Sequence, residues 1–214
     1  NYDRTEHGLV TVRSALANSY NIPAVRTVAH IGVPALIQTS RRFGASTLED
    51  GAYGLSLVLG SAEIPLLEMT GAYAVFASGG IRRPPMVIRK VSDASGRVLC
   101  EIGTETPCLP EGGDRAAERV AKATDAYLIT DILADGEARL PAFGRGSFLE
   151  LGRPAAVKTG TTNDYRDSLT IGYTPEIVVG AWVGNADRTP MLQVAGSVGA
   201  ARIWNQVMHA AVDA

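Results

Sequence analysis

Two short stretches hold the side chains best suited to chemistry. One is Lys158-Thr159-Gly160-Thr161-Thr162, at the end of an apolar run that opens at Ala155. The other is Ser19-Tyr20-Asn21, far upstream. A lysine, threonine hydroxyls and a glycine along one strand edge suit an extended peptide with a terminal carboxylate. The strand offers backbone hydrogen bonds, the hydroxyls of Thr159 and Thr161 take the carboxylate oxygens, and Lys158 supplies positive charge. Gly160 has no side chain, so a ligand or another backbone can lie against the strand there. Ser19 and Asn21 are two positions apart in a tight link, where their side chains can point the same way. Taken alone, that tripeptide reads equally well as a capping serine and a turn asparagine.

The elements that must position these groups follow from periodicity. The lysine stretch opens a predicted three-stranded antiparallel meander. Its turns fall at Asn163-Asp164-Tyr165 and Thr174-Pro175, its middle strand at Ser168 to Tyr173 and its last at Glu176 to Val183. Ile177, Val179, Ala181 and Val183 alternate with Val178, Gly180 and Trp182, which predicts a last strand covered on both faces. Ser19 falls between a short helix from Thr11 to Asn18, with Val12, Ala15 and Leu16 on one face, and a second helix whose first turn holds Pro23. A third helix runs from Pro34 to Gly44. Gly54 to Gly60 is a short apolar run bounded by glycines. Ile64 to Ser78 reads as a core helix with small residues (Gly71, Ala74, Ala77) along one side. Met86 to Val91 and Arg97 to Ile102 form a predicted hairpin over Ser95-Gly96. Thr104 to Gly113 reads as loop. A helix from Thr124 to Asp135 buries Tyr127, Leu128, Ile132 and Leu133; Gly136 to Pro154 is irregular; and a final helix, Ala200 to Val212, packs through Ile203, Trp204, Val207, Met208 and Ala211.

Composition excludes several classes. With 214 residues and 46% hydrophobic content the chain can bury one substantial core, so a single domain is expected. A net charge of −2 without a basic stripe argues against nucleic acid as a partner. No apolar run reaches the roughly 18 residues of a membrane span. Asn1-Tyr2-Asp3 reads like the interior of a domain, so an excised piece of a longer protein is expected. Cys100 and Cys108 lie in a polar segment and are either a disulfide of an exported protein or two thiols of an internal one; two sulfurs without a nearby histidine leave a metal site short of ligands. His7, His30 and His209 each lack a neighbouring nucleophile or carboxylate pair in sequence. Gly152 to Thr159 has the lysine and threonine of a phosphate loop but lacks the glycine before the lysine and the helix after it.

The combination of Ser-x-Asn and Lys-Thr-Gly is a signature of penicillin-binding proteins and serine β-lactamases. With NYDRTEHGLVTVRSALANSYNIPAV, GLSLVLGSAEIPLLEMTGAYAVFASGG, KTGTTNDYRDSLTIGYTPEIVVGAWVGN and VAGSVGAARIWNQVM, the chain closely resembles the transpeptidase domain of class A, bifunctional penicillin-binding proteins along nearly its whole length. The resemblance implies an α/β (α+β) fold of the β-lactamase/transpeptidase type, an antiparallel sheet flanked by helices, N-terminally truncated. It implies acyl transfer through a serine ester, from a donor stem peptide ending in D-Ala-D-Ala to an amine of a second stem peptide, without cofactor or metal and with β-lactams as inhibitors. By resemblance Ser19 relays a proton, Asn21 binds the donor's side-chain amide, and Lys158 holds Ser19 and supplies positive potential. Thr159, Gly160 and Thr161 form the cradle, in which the Thr161 N–H serves as an oxyanion donor. The family's Ser-x-x-Lys nucleophile motif is absent from these 214 residues: Ser14 is followed three positions later by Ala17, Ser19 by Ile22, Ser40 by Phe43 and Ser61 by Ile64. Residues 1–214 are therefore expected to be a partial domain lacking that segment, the upstream glycosyltransferase domain and the membrane anchor, and to be inactive alone. An extracytoplasmic location is implied, with membrane contact only through the missing anchor. Two other readings stand beside this one: a D,D-carboxypeptidase or β-lactamase relative, and a non-catalytic module that binds wall peptides or a partner protein.

Overall fold

The computed structural model describes residues 1, 3–49, 51, 53–102, 108, 117–192 and 194–212. Helix α1 (Val12–Ala17) starts at Thr11, whose hydroxyl accepts the Ser14 N–H at 3.1 Å. After three residues α2 (Asn21–Ile31) begins; α3 (Val33–Phe43) follows Gly32, carries its proline in the first turn, and ends on Gly44 at φ 115°. A 3₁₀ turn (Leu55–Leu59) leads to α4 (Leu66–Ala77). Strand β1 (Ile81–Arg82) pairs with β4 (Glu118–Arg119), and between them β2 (Lys90–Ser92) and β3 (Val98–Glu101) form the expected hairpin. Its turn is held by Asp93 Oδ1, which accepts from the N–H groups of Ser95 and Arg97. Cys100 and Cys108 are joined as a disulfide, with their Cα atoms 4.8 Å apart. Apart from Cys108, the loop expected from Thr104 to Gly113 lies outside the described residues. Next come α5 (Ala123–Ala134), α6 (Gly136–Phe143), β5 (Ala156–Thr161), β6 (Asp167–Tyr173), β7 (Val178–Gly184) and α7 (Gly199–Val212).

The meander is the centre of the fold. β5, β6 and β7 pair in that order, all antiparallel, with Lys158 opposite Ile171 and Thr161 opposite Ser168. Because side chains alternate along a strand, Val157, Val179, Ala181 and Val183 face α7, where they pack on Ala200, Ala201, Trp204 and Met208. Ala156, Tyr173 and Val178 face the other way, onto Leu133 of α5 and Tyr73 and Phe76 of α4. This is the expected mixed fold, an antiparallel sheet flanked by helices. Two strand glycines set the layer spacing. A Cβ on Gly172 would stand 2.5 Å from the Trp204 ring, and one on Gly180 would stand 2.2 Å from the Thr70 hydroxyl of α4.

Several sequence expectations are corrected. Gly136–Phe143 is helical although it contains a glycine and Pro141. The missing helical support is supplied from outside: Asp135 caps the helix by accepting the Ala138 N–H at 2.9 Å, and Arg13 of α1 bridges Asp131 and Asp135. In α5, Ile132 and Leu133 are buried as expected, but Tyr127 and Leu128 are exposed and Ala126 is buried in their place. That helix is apolar nearly all round, so its periodicity does not fix which stripe meets α4 and β5. In the same way Val12, Ile203 and Val207 are exposed, and α7 packs through Trp204 and Met208. The close approach between α4 and its neighbour occurs at Gly180, since a Cβ on Gly71 would meet open space. The last strand is less covered than its alternation predicts, with Trp182 46% exposed.

Candidate active site

Ser19 and Lys158, 139 positions apart in sequence, meet: the Lys158 Nζ donates to Ser19 Oγ at 2.6 Å and to the Thr159 carbonyl at 2.8 Å. Their meeting depends on one strand and one turn. On the strand, the Thr162 N–H donates to Asp167 O at 3.1 Å, so the backbone groups of the even-numbered residues of β5 turn toward β6. By alternation those of Val157, Thr159 and Thr161 turn to the open edge, where a peptide can pair with them. Lys158 and Gly160 share the face that looks toward α4 and α5. A Cβ on Gly160 would find only Leu169, at 3.6 Å, so the space over the strand is free.

The turn is built on a helix end. α1 stops in a Schellman motif, with Tyr20 N–H donating to Ala15 O at 2.9 Å and Ser19 N–H to Leu16 O at 3.2 Å. That motif needs a left-handed residue, normally glycine, and the residue here is Ser19, at φ 59°. The hydroxyl is thereby thrown away from the helix and toward β5. Asn21 is the first residue of α2, two positions further on; its side chain is half-buried and not bonded to β5.

Electrostatics distinguish Lys158 from a surface lysine. Burial alone pushes its pKa down from the ordinary 10.5 to about 8. It is still mostly an ammonium at neutral pH, yet loses its proton more readily than an exposed lysine does. Because Ser19 Oγ accepts from Lys158, its own hydrogen is free to be donated elsewhere. The pair can therefore pass a proton from the amine through the hydroxyl to a bound group.

The third part of the cradle is fixed from the α7 side. Gly196, in the segment before α7, donates its N–H to Thr161 Oγ1 at 2.8 Å, and its carbonyl accepts from Thr170 Oγ1 at 2.9 Å. Neighbouring Ala195 O accepts from Ser168 Oγ at 3.1 Å. Accepting there occupies only one lone pair, so the Thr161 hydroxyl keeps its hydrogen to donate to an anion. Thr159 is half-buried on the same face of the strand.

Three residues to which the sequence alone gives no role gather around Ser19-Tyr20-Asn21. The His7 ring stacks on Tyr20 with centroids 4.0 Å apart and is bonded to Asp3 at 2.7 Å. Asn1 Oδ1 accepts the Ile22 N–H at 3.1 Å, a donor at the start of α2 that Tyr20 cannot cap. Asn18 is buried and bonds across to α6. A signal was present in the sequence: one helix ends without a glycine and the next begins without a capping side chain, so groups from elsewhere must complete both. Among the described residues no three His, Cys, Asp or Glu side chains are grouped to hold a metal ion, and no helix is long and apolar enough to cross a membrane.

The chain matches the family described as Penicillin binding protein transpeptidase domain over residues 1–209. It is 35% identical to penicillin-binding protein 1A of Aquifex aeolicus over 210 residues, which cover 97% of this chain and 26% of that protein. To penicillin-binding protein 1A of Neisseria meningitidis serogroup B it is 33% identical over 218 residues, covering 99% of this chain and 26% of that protein. The chain thus spans about a quarter of the length of these curated relatives. Among solved structures, PonA1 of Mycobacterium tuberculosis in complex with penicillin V superposes with a TM-score of 0.82 at 23% identity, covering 99% of this chain and 59% of that one. Penicillin-binding protein 1A of Haemophilus influenzae superposes with a TM-score of 0.76 at 25% identity, covering 99% and 36%.

Proposed function

Since the chain belongs to the penicillin-binding protein transpeptidase family, we propose that it is part of a peptidoglycan D,D-transpeptidase that cross-links stem peptides through a serine acyl-enzyme and is acylated by penicillin. The observation that carries this reading is the 2.6 Å contact between Lys158 Nζ and Ser19 Oγ beside an open strand edge.

In this reading a donor peptide ending in D-Ala-D-Ala lies antiparallel to β5. Its terminal carboxylate accepts from the Thr159 and Thr161 hydroxyls and is drawn by the Lys158 ammonium. Its scissile carbonyl oxygen accepts from the outward-facing Thr161 N–H, and Asn21 donates to the side-chain amide of the donor. The nucleophilic serine comes from a Ser-x-x-Lys segment outside these 214 residues, so the chain by itself is not acylated. The serine attacks the carbonyl as its own proton passes to the lysine of the same Ser-x-x-Lys segment, the peptide C–N bond breaks, and the departing D-alanine nitrogen takes the hydrogen of Ser19. Lys158 replaces that hydrogen, which its lowered pKa makes easier. In the second half the acceptor amine attacks the ester and returns its proton along the same route. A cell-surface or periplasmic location agrees with the Cys100–Cys108 bond, since disulfides persist in oxidising compartments. Membrane anchoring and glycosyl transfer are assigned to the remainder of the full-length protein.

The test is acylation of the full-length protein by a fluorescent penicillin. Lys158→Ala slows labelling by roughly two or more orders of magnitude, the scale of losing a proton-transfer and electrostatic group. Labelling at the wild-type rate removes Lys158 from the mechanism. Product analysis with and without an acceptor amine separates transfer from hydrolysis.

A further inference from the structure

The turn that presents Ser19 is under two opposing demands. The Schellman geometry calls for glycine, and the chemistry calls for a hydroxyl. A serine at φ 59° persists only where its surroundings over-determine the backbone. The side chain of the preceding residue, Asn18, meets that requirement.

Asn18 is the C-cap of α1 and is 5% exposed. Its Nδ2 donates to Ser14 O at 2.9 Å within α1 and to Ala138 O of α6 at 2.8 Å. Its Oδ1 accepts the Ala142 N–H of α6 at 3.0 Å. Ala138 O and Ala142 N–H stand four positions apart and are the two groups that an α-helix ordinarily bonds to each other. The Asn18 carboxamide thus spans a rung of the α6 ladder, beside Pro141, which has no N–H of its own to give. Both amide hydrogens and the oxygen are satisfied, and no other side chain of this size carries a paired donor and acceptor to do it. α6 is itself fixed by the Asp135 cap and through Arg13, so the carboxamide ties the end of α1 to a held element.

We propose that Asn18 is a positioning residue for the proton relay: by spanning Ala138 and Ala142 of α6 it locks the α1 end so that Ser19, one residue on, holds its hydroxyl on the Lys158 amine. This rests on the transpeptidase reading above. The Asn18 side chain bonds only within α1 and to α6, not to Lys158, and so acts through Ser19.

The experiment measures single-turnover acylation of the full-length protein by fluorescent penicillin, separating the rate constant from the labelled fraction. Asn18→Asp keeps the acceptor for the Ala142 N–H but sets a carboxylate oxygen against the carbonyls of Ser14 and Ala138. Expected is a rate constant lowered about 10- to 100-fold in the molecules that label, the scale of misplacing a reacting group by about 1 Å. A role in folding alone lowers the labelled fraction and leaves that rate constant unchanged. The decisive comparison places Asn18→Asp in a Ser19→Ala background. If Asn18 acts through Ser19, the double variant acylates as slowly as Ser19→Ala alone. A wild-type rate constant in Asn18→Asp, or effects that multiply in the double variant, overturns the proposal. Asn18→Ser, which keeps a small polar group at the site, gives the same readout if the aspartate variant does not fold. Failure of the wild-type protein to label at all counts against the transpeptidase reading, and the Asn18 proposal falls with it.

Discussion

The left-handed backbone at Ser19 makes an unusual prediction about two small substitutions. Ser19→Ala and Ser19→Gly both delete the hydroxyl and its 2.6 Å bond from Lys158, so that loss cancels in the comparison. What remains is the backbone. At an ordinary helical position alanine is more stabilising than glycine by about 1 kcal/mol. At φ 59° a Cβ crowds the carbonyl, a cost of roughly 1 to 2 kcal/mol that glycine does not carry. Glycine gives back about 0.4 to 1 kcal/mol through the greater freedom of its unfolded chain. Taking the midpoints of these ranges, Ser19→Gly is expected to be more stable than Ser19→Ala by about 0.8 kcal/mol, the reverse of the helical order. The assay is calorimetry of the full-length protein, following the unfolding transition that a bound β-lactam shifts. That transition comes about 1 to 4 °C higher in the glycine variant, given about 2 to 4 °C per kcal/mol for a unit of this size. Both variants acylate slowly. Equal transitions, or a higher one in the alanine variant, refute the claim that Ser19 is held in a conformation its side chain opposes.

Acylation should fall on an alkaline limb centred near pH 8, where Lys158 loses its proton, and Lys158→Arg should move that limb to much higher pH if the variant labels at all. Because burial depresses this pKa from 10.5, the buried charge destabilises the fold at neutral pH by about 3 kcal/mol, and the loss is regained as pH rises from 8 to 10.5. Lys158→Met, followed by denaturant unfolding across that window, should lack this gain. Gly160→Ala should fold normally, since its Cβ would meet Leu169 at an ordinary 3.6 Å, yet penicillin labelling should drop about tenfold or more because the methyl stands on the Lys158 face and displaces what lies against the strand. Gly196→Ala should instead cost about 1 to 3 kcal/mol, because its Cβ would lie 2.5 Å from the Gly160 carbonyl oxygen. Asn21→Ala should lower turnover of a D-Ala-D-Ala donor in a folded protein; unchanged turnover would leave Asn21 as the first residue of a helix and nothing more.

The meander was legible because each of its strands follows its own local pattern, and its two turns sit at Asn-Asp and Thr-Pro. The helices were legible where caps, prolines and glycines mark their ends. Where those markers conflict with the structure, the reading failed for one reason. Gly136–Phe143 looks irregular in sequence because the groups that complete it, Arg13 and Asn18, lie more than a hundred positions away. Tyr127 and Leu128 read as core because an apolar helix does not record which of its stripes meets a neighbour.

The candidate site divides along the same line. Residue types and short-range order determined that a lysine, hydroxyls and a glycine lie on one strand, and that a serine and an asparagine flank a tyrosine between two helices. Only the tertiary structure set Lys158 on Ser19 and buried the amine enough to lower its pKa. It alone turned the odd-numbered backbone groups of β5 to an open edge and held a serine where a helix end calls for glycine. Local sequence specifies which groups are present and which way a strand or helix points them. Their distances, and the water excluded between them, arise from the packing of elements remote in the chain, which no short stretch encodes.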